Sequence, residues 1–198
     1  MAVTDLITLV EAREFLQKTD AQVAADNVLE DLILRASLEI QREIDLRVAP
    51  PESGDKTLDW DGSRRIRLTP YVARTITAVT LDPGESGVTV LTTAQFRLGP
   101  EPALDSVYPW VEFDARALGS YGGAFSTRRV LLTGEWGFTD VPEELKQACC
   151  LTVAAWYRGR VAAFSSQYED ADGGFVARVQ KLPFDAFQIL EKWRRYEV

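Results

Sequence analysis

The chain has 198 residues, 46% of them hydrophobic and 26% charged, with a formal charge of −8. Those values fit one folded domain, or one domain carrying a sizeable insertion, and exclude a disordered polar chain or a fibrous repeat. The acidity argues against a general grip on nucleic-acid phosphates. No apolar run approaches the ~18–20 residues of a membrane span, and the start MAVTDLITLVEAREFLQ is acidic where a signal peptide is basic, so a soluble, cytoplasmically made protein is expected.

Thr8-Leu9-Val10-Glu11 fits a capping box, which predicts a first helix over 8–18 with Leu9, Ala12 and Leu16 on its buried face. After Asp26, an N-cap residue type, Leu29, Leu32, Ile33, Ala36, Ile40 and Ile44 recur at helical spacing. Glu30, Asp31, Arg35, Glu39 and Arg42 mark the opposite, wet face. This second helix is predicted over 27–47, stopped by the prolines of APPESGD.

From Lys56 to Phe138 the period changes to short runs of β type, KTLDW, RRIRL, RTITAVTLD, GVTVL, AQFRLG, SVYPWVEFD and RRVLLTGEWGF. Gly, Pro and Asp separate them, and Asp61-Gly62 reads as a hairpin turn between the first two. At Pro142 a helix begins again, predicted over 142–160, with Glu143 and Glu144 in its first turn and Arg158 and Arg160 in its last. A polar loop, SSQYEDADGG, leads to a last helix over 184–196. The expected fold class is therefore α+β. A bundle of about four helices, residues 1–50 with 140–198, carries an inserted antiparallel β unit of six or seven strands over 51–139. Leu32, Ile33, Ile40, Leu145, Cys149 and Trp156 are expected in one helical core.

Chemistry is sparse. There is no histidine, and the two cysteines, Cys149 and Cys150, are neighbours on a helix, where their side chains diverge by ~100°. They read as small core residues, and no zinc set can be completed. DWDG and EDADGG begin like calcium loops but lack the full ligand spacing, and Gly122-Gly123 and Gly173-Gly174 lack the Lys-Ser/Thr of a phosphate loop. No catalytic, cofactor-binding or metal-binding residue is expected. Two segments suggest contact with other proteins. ACCLTVAAWY is apolar almost all round and must be covered on several sides, by a core alone or by neighbouring subunits too. The ending FDAFQILEKWRRYEV places Phe184, Phe187, Leu190, Trp193, Arg194, Arg195 and Tyr196 on a terminal helix, either docked on its own core or serving as an arm for a partner.

The order of elements, with LLTGEWGFTDVPEELKQACCLTVAAWYRGR after the β insertion, resembles the head-tail connector, or adaptor, proteins of long-tailed phages and gene transfer agents. The residues that carry the resemblance are Val130, Gly134, Trp136, Gly137, Phe138, Val141, Pro142, Leu145, Lys146, Ala148, Trp156, Tyr157 and Arg160, together with LTPYVARTITAVTL over 68–81. Gly137-Phe138 stands where members usually carry Gly-Tyr, Trp136 is additional, and the β insertion is larger than in compact members. The resemblance implies a non-enzymatic structural protein of a virion or virion-like particle neck. It implies a ring of about twelve copies beneath the portal, joined on its other side to a stopper or tail-side neck protein. DNA would pass through the central channel without sequence-specific binding, no membrane would be involved, and the terminal helix would help attach the ring to the portal. A stopper or tail-completion protein is the near alternative. A small ligand-binding or enzymatic β module, with a pocket from DWDG, the glycine pairs and the aromatics of VYPWVEF, is the distant one.

Overall fold

Helix α1, Leu9–Phe15, starts where its cap chemistry dictates. The Thr8 hydroxyl accepts the Glu11 N–H at 3.2 Å, and the Glu11 carboxylate accepts the Thr8 N–H at 2.6 Å. The computed structural model describes residues 5–17, 26–81, 89–100, 107–114, 128–166 and 182–194. These form two compact units, residues 1–45 with 141–198 and residues 46–140.

In the first unit, α2 runs Asp26–Glu43, and all six expected apolar positions from Leu29 to Ile44 are buried. It ends before the prolines, at Asp45, whose φ of +50° is a left-handed conformation that aspartate tolerates. Helix α3, Glu143–Ser166, continues six residues past its expected end. Arg158 and Arg160 favour a C-terminus electrostatically but break nothing, and Val161 to Phe164 hold no Gly or Pro. Helix α4 spans Phe184–Arg194 after Pro183. The helices pack through Leu29, Ile33, Ala36 and Ile40 of α2, Leu145, Ala148, Cys149 and Val153 of α3, and Ala12, Ala186, Leu190 and Trp193 from the two short helices. Trp156, expected in this core, is only half-buried. Leu6 and Ile7, just before α1, are buried. The Leu6 N–H donates to the buried Ser37 hydroxyl at 2.9 Å, and that oxygen lies 3.8 Å from the Cys149 sulfur. Buried polar groups of this kind need partners, and here one hydroxyl serves three segments.

The second unit holds β1 (Glu52–Trp60), β2 (Arg65–Arg67), β3 (Ala73–Leu81), β4 (Thr89–Leu91), β5 (Phe96–Gly99), β6 (Trp110–Phe113) and β7 (Arg128–Trp136). They form two antiparallel sheets, ordered β1-β7-β3-β4 and β2-β6-β5. Strand β1 begins four residues earlier than expected, because all nine of its residues pair with β7, from Glu52 opposite Trp136 to Trp60 opposite Arg128. The hairpin expected at Asp61-Gly62 is not formed. Gly62, at φ +83°, does turn the chain, and Asp61 accepts the Ser63 N–H at 2.8 Å, but β1 and β2 enter different sheets. Burial accounts for this. Trp60, Val79, Leu81, Val130 and Leu132 of the larger sheet share one apolar cluster with Ile66, Val111 and Phe113 of the smaller, so the turn folds one sheet over the other.

Candidate functional site

The segment from β7 into α3 is built for packing. Trp136 is 1% exposed and donates its indole N–H to the Gly54 carbonyl at 2.8 Å, and Tyr71 meets it edge-on at 6.2 Å. Gly137 has φ +90°, and a Cβ there would lie 2.6 Å from both the Ala49 and Pro50 carbonyl oxygens, so this position requires glycine. The Phe138 N–H then donates to Ala49 at 2.8 Å. Pro142 opens the first turn of α3, where its carbonyl accepts from Leu145 and Lys146. These are fold-building roles for Trp136, Gly137, Phe138, Pro142 and Leu145, and none of these residues carries a reactive group.

The terminal helix has two sides. Leu190 (0% exposed) and Trp193 (1%) are buried in the helical unit, and the Trp193 indole N–H donates to Glu144 at 3.1 Å while Lys192 bonds the same carboxylate at 2.7 Å. Arg194 lies 3.3 Å from Glu43 and stacks over the Phe187 ring at 4.9 Å. Phe184, in contrast, is 71% exposed. The helix therefore docks on its own unit through two of the expected anchors and presents Phe184 outward. Arg195, Tyr196, Gly173-Gly174, Gly122-Gly123 and EDADGG lie outside the described residues.

Of the aromatics expected to form a pocket, Trp60 and Phe113 fill the core while Tyr108 and Trp110 are half-buried. Trp60 is buried, edge-on to Phe113 at 5.5 Å, and donates to the Ser63 carbonyl at 2.8 Å. Trp110 differs. On the outer face of the smaller sheet, Arg65, Glu112 and Arg97 stand opposite one another across three strands, as do Arg67, Trp110 and Gly99. Arg97 contacts Glu112 through Nε at 3.0 Å and Nη2 at 2.7 Å, Arg64 approaches the same carboxylate at 3.2 Å, and Arg65 lies over the Trp110 ring at 4.9 Å. Arg97 foremost, with Arg64 and Arg65 adding, holds the Glu112 carboxyl below its ordinary value. Beside Trp110 runs a groove of about 270 Å³ lined by Arg65, Arg97 and Pro100. Sequence reasoning did not single out this face. The alternation in RRIRL puts Arg65 and Arg67 on one side of a strand, but the strands that flank it are not readable locally.

Among the described residues no group of His, Cys, Asp and Glu side chains is placed to hold a metal ion, and no helix is long and apolar enough to cross a membrane. Burial pushes the Cys149 thiol up to about 12, so it stays protonated. No protein-family model matches the chain, and no curated protein does. Solved structures do. A chain in the neck of an empty GTA particle with C6 symmetry is 22% identical, with a TM-score of 0.53 over 98% of this chain and 92% of that one. A chain of the virion of a native gene transfer agent (GTA) particle is 21% identical, with a TM-score of 0.51 over the same shares. At these identities the likeness establishes a shared fold that runs the length of both chains.

Proposed function

We propose that this chain is a structural protein of the neck of a phage or gene transfer agent particle, and within the neck a head-tail connector that assembles as a ring under the portal. The observation that carries the reading is the full-length fold likeness to a chain from a gene transfer agent neck. The residues add support. The β7–α3 segment is specified by a packing glycine, a proline and buried aromatics, which are the roles of a structural subunit. In this reading the ring joins the portal to a tail-side neck protein, and DNA passes along its channel without base recognition. An excess of acidic side chains suits such a passage, because a wall that repels phosphates leaves the duplex free to slide.

Attachment to the portal is assigned to the outward side of α4, chiefly Phe184, with Phe187 one turn on and Arg194 over the Phe187 ring. Leu190 and Trp193 hold this helix in place from beneath. The test is electron microscopy of the chain co-assembled with the portal and tail-side neck proteins of its own particle. Ring density against the portal is expected, and its absence from an otherwise complete neck would overturn the reading. Phe184→Ser should weaken portal binding while the fold stays intact, and undiminished binding would move attachment to another surface.

A further inference from the structure

We propose that the arginine-tryptophan face of the small β2-β6-β5 sheet docks on the outer face of α2 of a second copy of this chain. The inference deepens the ring reading above and rests on it, since it names the two surfaces through which neighbouring copies meet.

The argument starts from charge. Copies that each carry −8 repel on average, so any self-association needs localised complementarity. The sequence supplies it unevenly. Residues 1–45 hold ten acidic and four basic side chains, whereas the outer face of the small sheet gathers Arg64, Arg65, Arg67 and Arg97 around a single Glu112. That carboxylate engages Arg64 and Arg97. Arg65 and Arg67, both exposed, make no close ion pair among the described residues, and Arg65 adds only a through-space attraction to Glu112.

The face also has the composition of a protein contact. Guanidinium forks match carboxylates, as Arg97 already does with Glu112, and arginine and tryptophan dominate interface hot spots. Trp110 is held in a fixed pose, because its indole fills the space over Gly99 that any Cβ would occupy, while Arg65 lies over its ring. Preorganisation of this kind lowers the entropy cost of binding. A nucleic-acid backbone is the poorer occupant. Two of the four arginines are already committed to Glu112, and the chain as a whole repels phosphates.

The complementary surface is on α2. Glu30, Leu34 and Leu38 follow one another at intervals of four along its solvent side, with Leu34 40% and Leu38 45% exposed. Asp31 adds a second carboxylate, and its ion pair with Arg35 is solvent-exposed. Acid beside a short apolar line answers arginine beside tryptophan. Because the two surfaces differ, each copy uses one of each, and head-to-tail contacts of this kind generate a ring when the rotation between copies closes.

The experiment is analytical ultracentrifugation of the full chain at low salt and at about 0.5 M salt, where exposed charge pairs are screened. Wild type is expected to self-associate, less so at high salt. Arg65→Glu with Arg67→Glu, and separately Glu30→Arg, should each weaken association at least about tenfold. Melting temperatures close to wild type would show that each variant folds, and Leu34→Ser with Leu38→Ser, also on an exposed line, should weaken association in the same way. An equimolar mixture of the two charge variants should recover assembly, because the acidified sheet of one then faces the basic α2 of the other while the reciprocal contact remains native. A wild type that stays monomeric at all concentrations would overturn the ring reading and this inference together. Assembly unaffected by the arginine changes would overturn only the inference, and a mixture that fails to recover would remove α2 as the partner surface.

Discussion

Trp193→Ala and Phe184→Ala should separate the two sides of α4. Trp193 is 1% exposed in the helical unit and donates to Glu144 at 3.1 Å, whereas Phe184, on the same helix, is 71% exposed. Truncating a buried tryptophan typically costs ~3–5 kcal/mol, from lost transfer energy and the cavity left behind. Losing the indole donor adds little, because the Glu144 carboxylate keeps Lys192 and is partly wet. For a chain of this size each kcal/mol moves the melting midpoint by ~2–4 °C, so Trp193→Ala should melt roughly 6–20 °C lower. Phe184→Ala removes surface that is already in water and should stay within ~0.5 kcal/mol of wild type. Thermal unfolding followed by circular dichroism reads both. A Trp193→Ala chain that loses less than ~1 kcal/mol, or a Phe184→Ala chain that loses as much as Trp193→Ala, would refute the docking of α4 described here. The same numbers mean that deleting everything after Pro183 strips Ala186, Leu190 and Trp193 from the core and so confounds any portal-binding test with unfolding, which is why Phe184→Ser is the cleaner probe.

Ile40→Ala, at a position 0% exposed in the middle of α2, should cost ~2–5 kcal/mol in the same assay, and an unchanged midpoint would contradict the helix packing. Gly137→Ala should destabilise the β unit beyond an ordinary surface change, since it meets both positive φ and two carbonyl oxygens at 2.6 Å, and a neutral result by urea unfolding would argue against that backbone. The Thr8 N–H foremost, with Lys146 adding, holds Glu11 below its ordinary 4.5. Its contribution to stability is therefore complete above that pH and fades as pH falls through the lower folded value, so Glu11→Gln should flatten the acid limb of a stability profile. In a Cys150→Ser chain the one remaining thiol, Cys149, should react with a disulfide reagent only as fast as the chain unfolds, and rapid labelling of the native protein would contradict its burial.

The helical unit was legible because its signals are local. The Thr8–Glu11 box, the spacing from Leu29 to Ile44 and Pro142 each act within a few turns of chain, and each marks an element that formed near its expected position. Errors arose where a local signal met a long-range competitor. Asp61-Gly62 has hairpin chemistry, yet β1 gains nine paired residues from β7, 68 to 84 residues away in sequence, and a local β1-β2 hairpin would forfeit that ladder. The end of α2 erred for the opposite reason. The prolines are an evident stop signal, while Asp45 ends the helix earlier by a left-handed turn that an aspartate permits but does not announce.

The proposed interaction surfaces were less legible still, and for one physical reason. A packing anchor and a binding anchor have the same composition, so FDAFQILEKWRR cannot say which aromatics are spent on its own core. Only three-dimensional neighbours separate Trp193, closed over Glu144, from Phe184, left in water. The arginine face poses the converse problem. Arg65 and Arg67, Arg97, and Trp110 with Glu112 lie on three strands, and nothing in any one strand says that they converge. Net charge hid them further, because −8 averages a basic sheet with an acidic N-terminal segment. What decides whether two copies of such a chain attract is therefore the distance between those patches across the contact relative to a screening length of about 8–10 Å, and a sum over the sequence contains no distance.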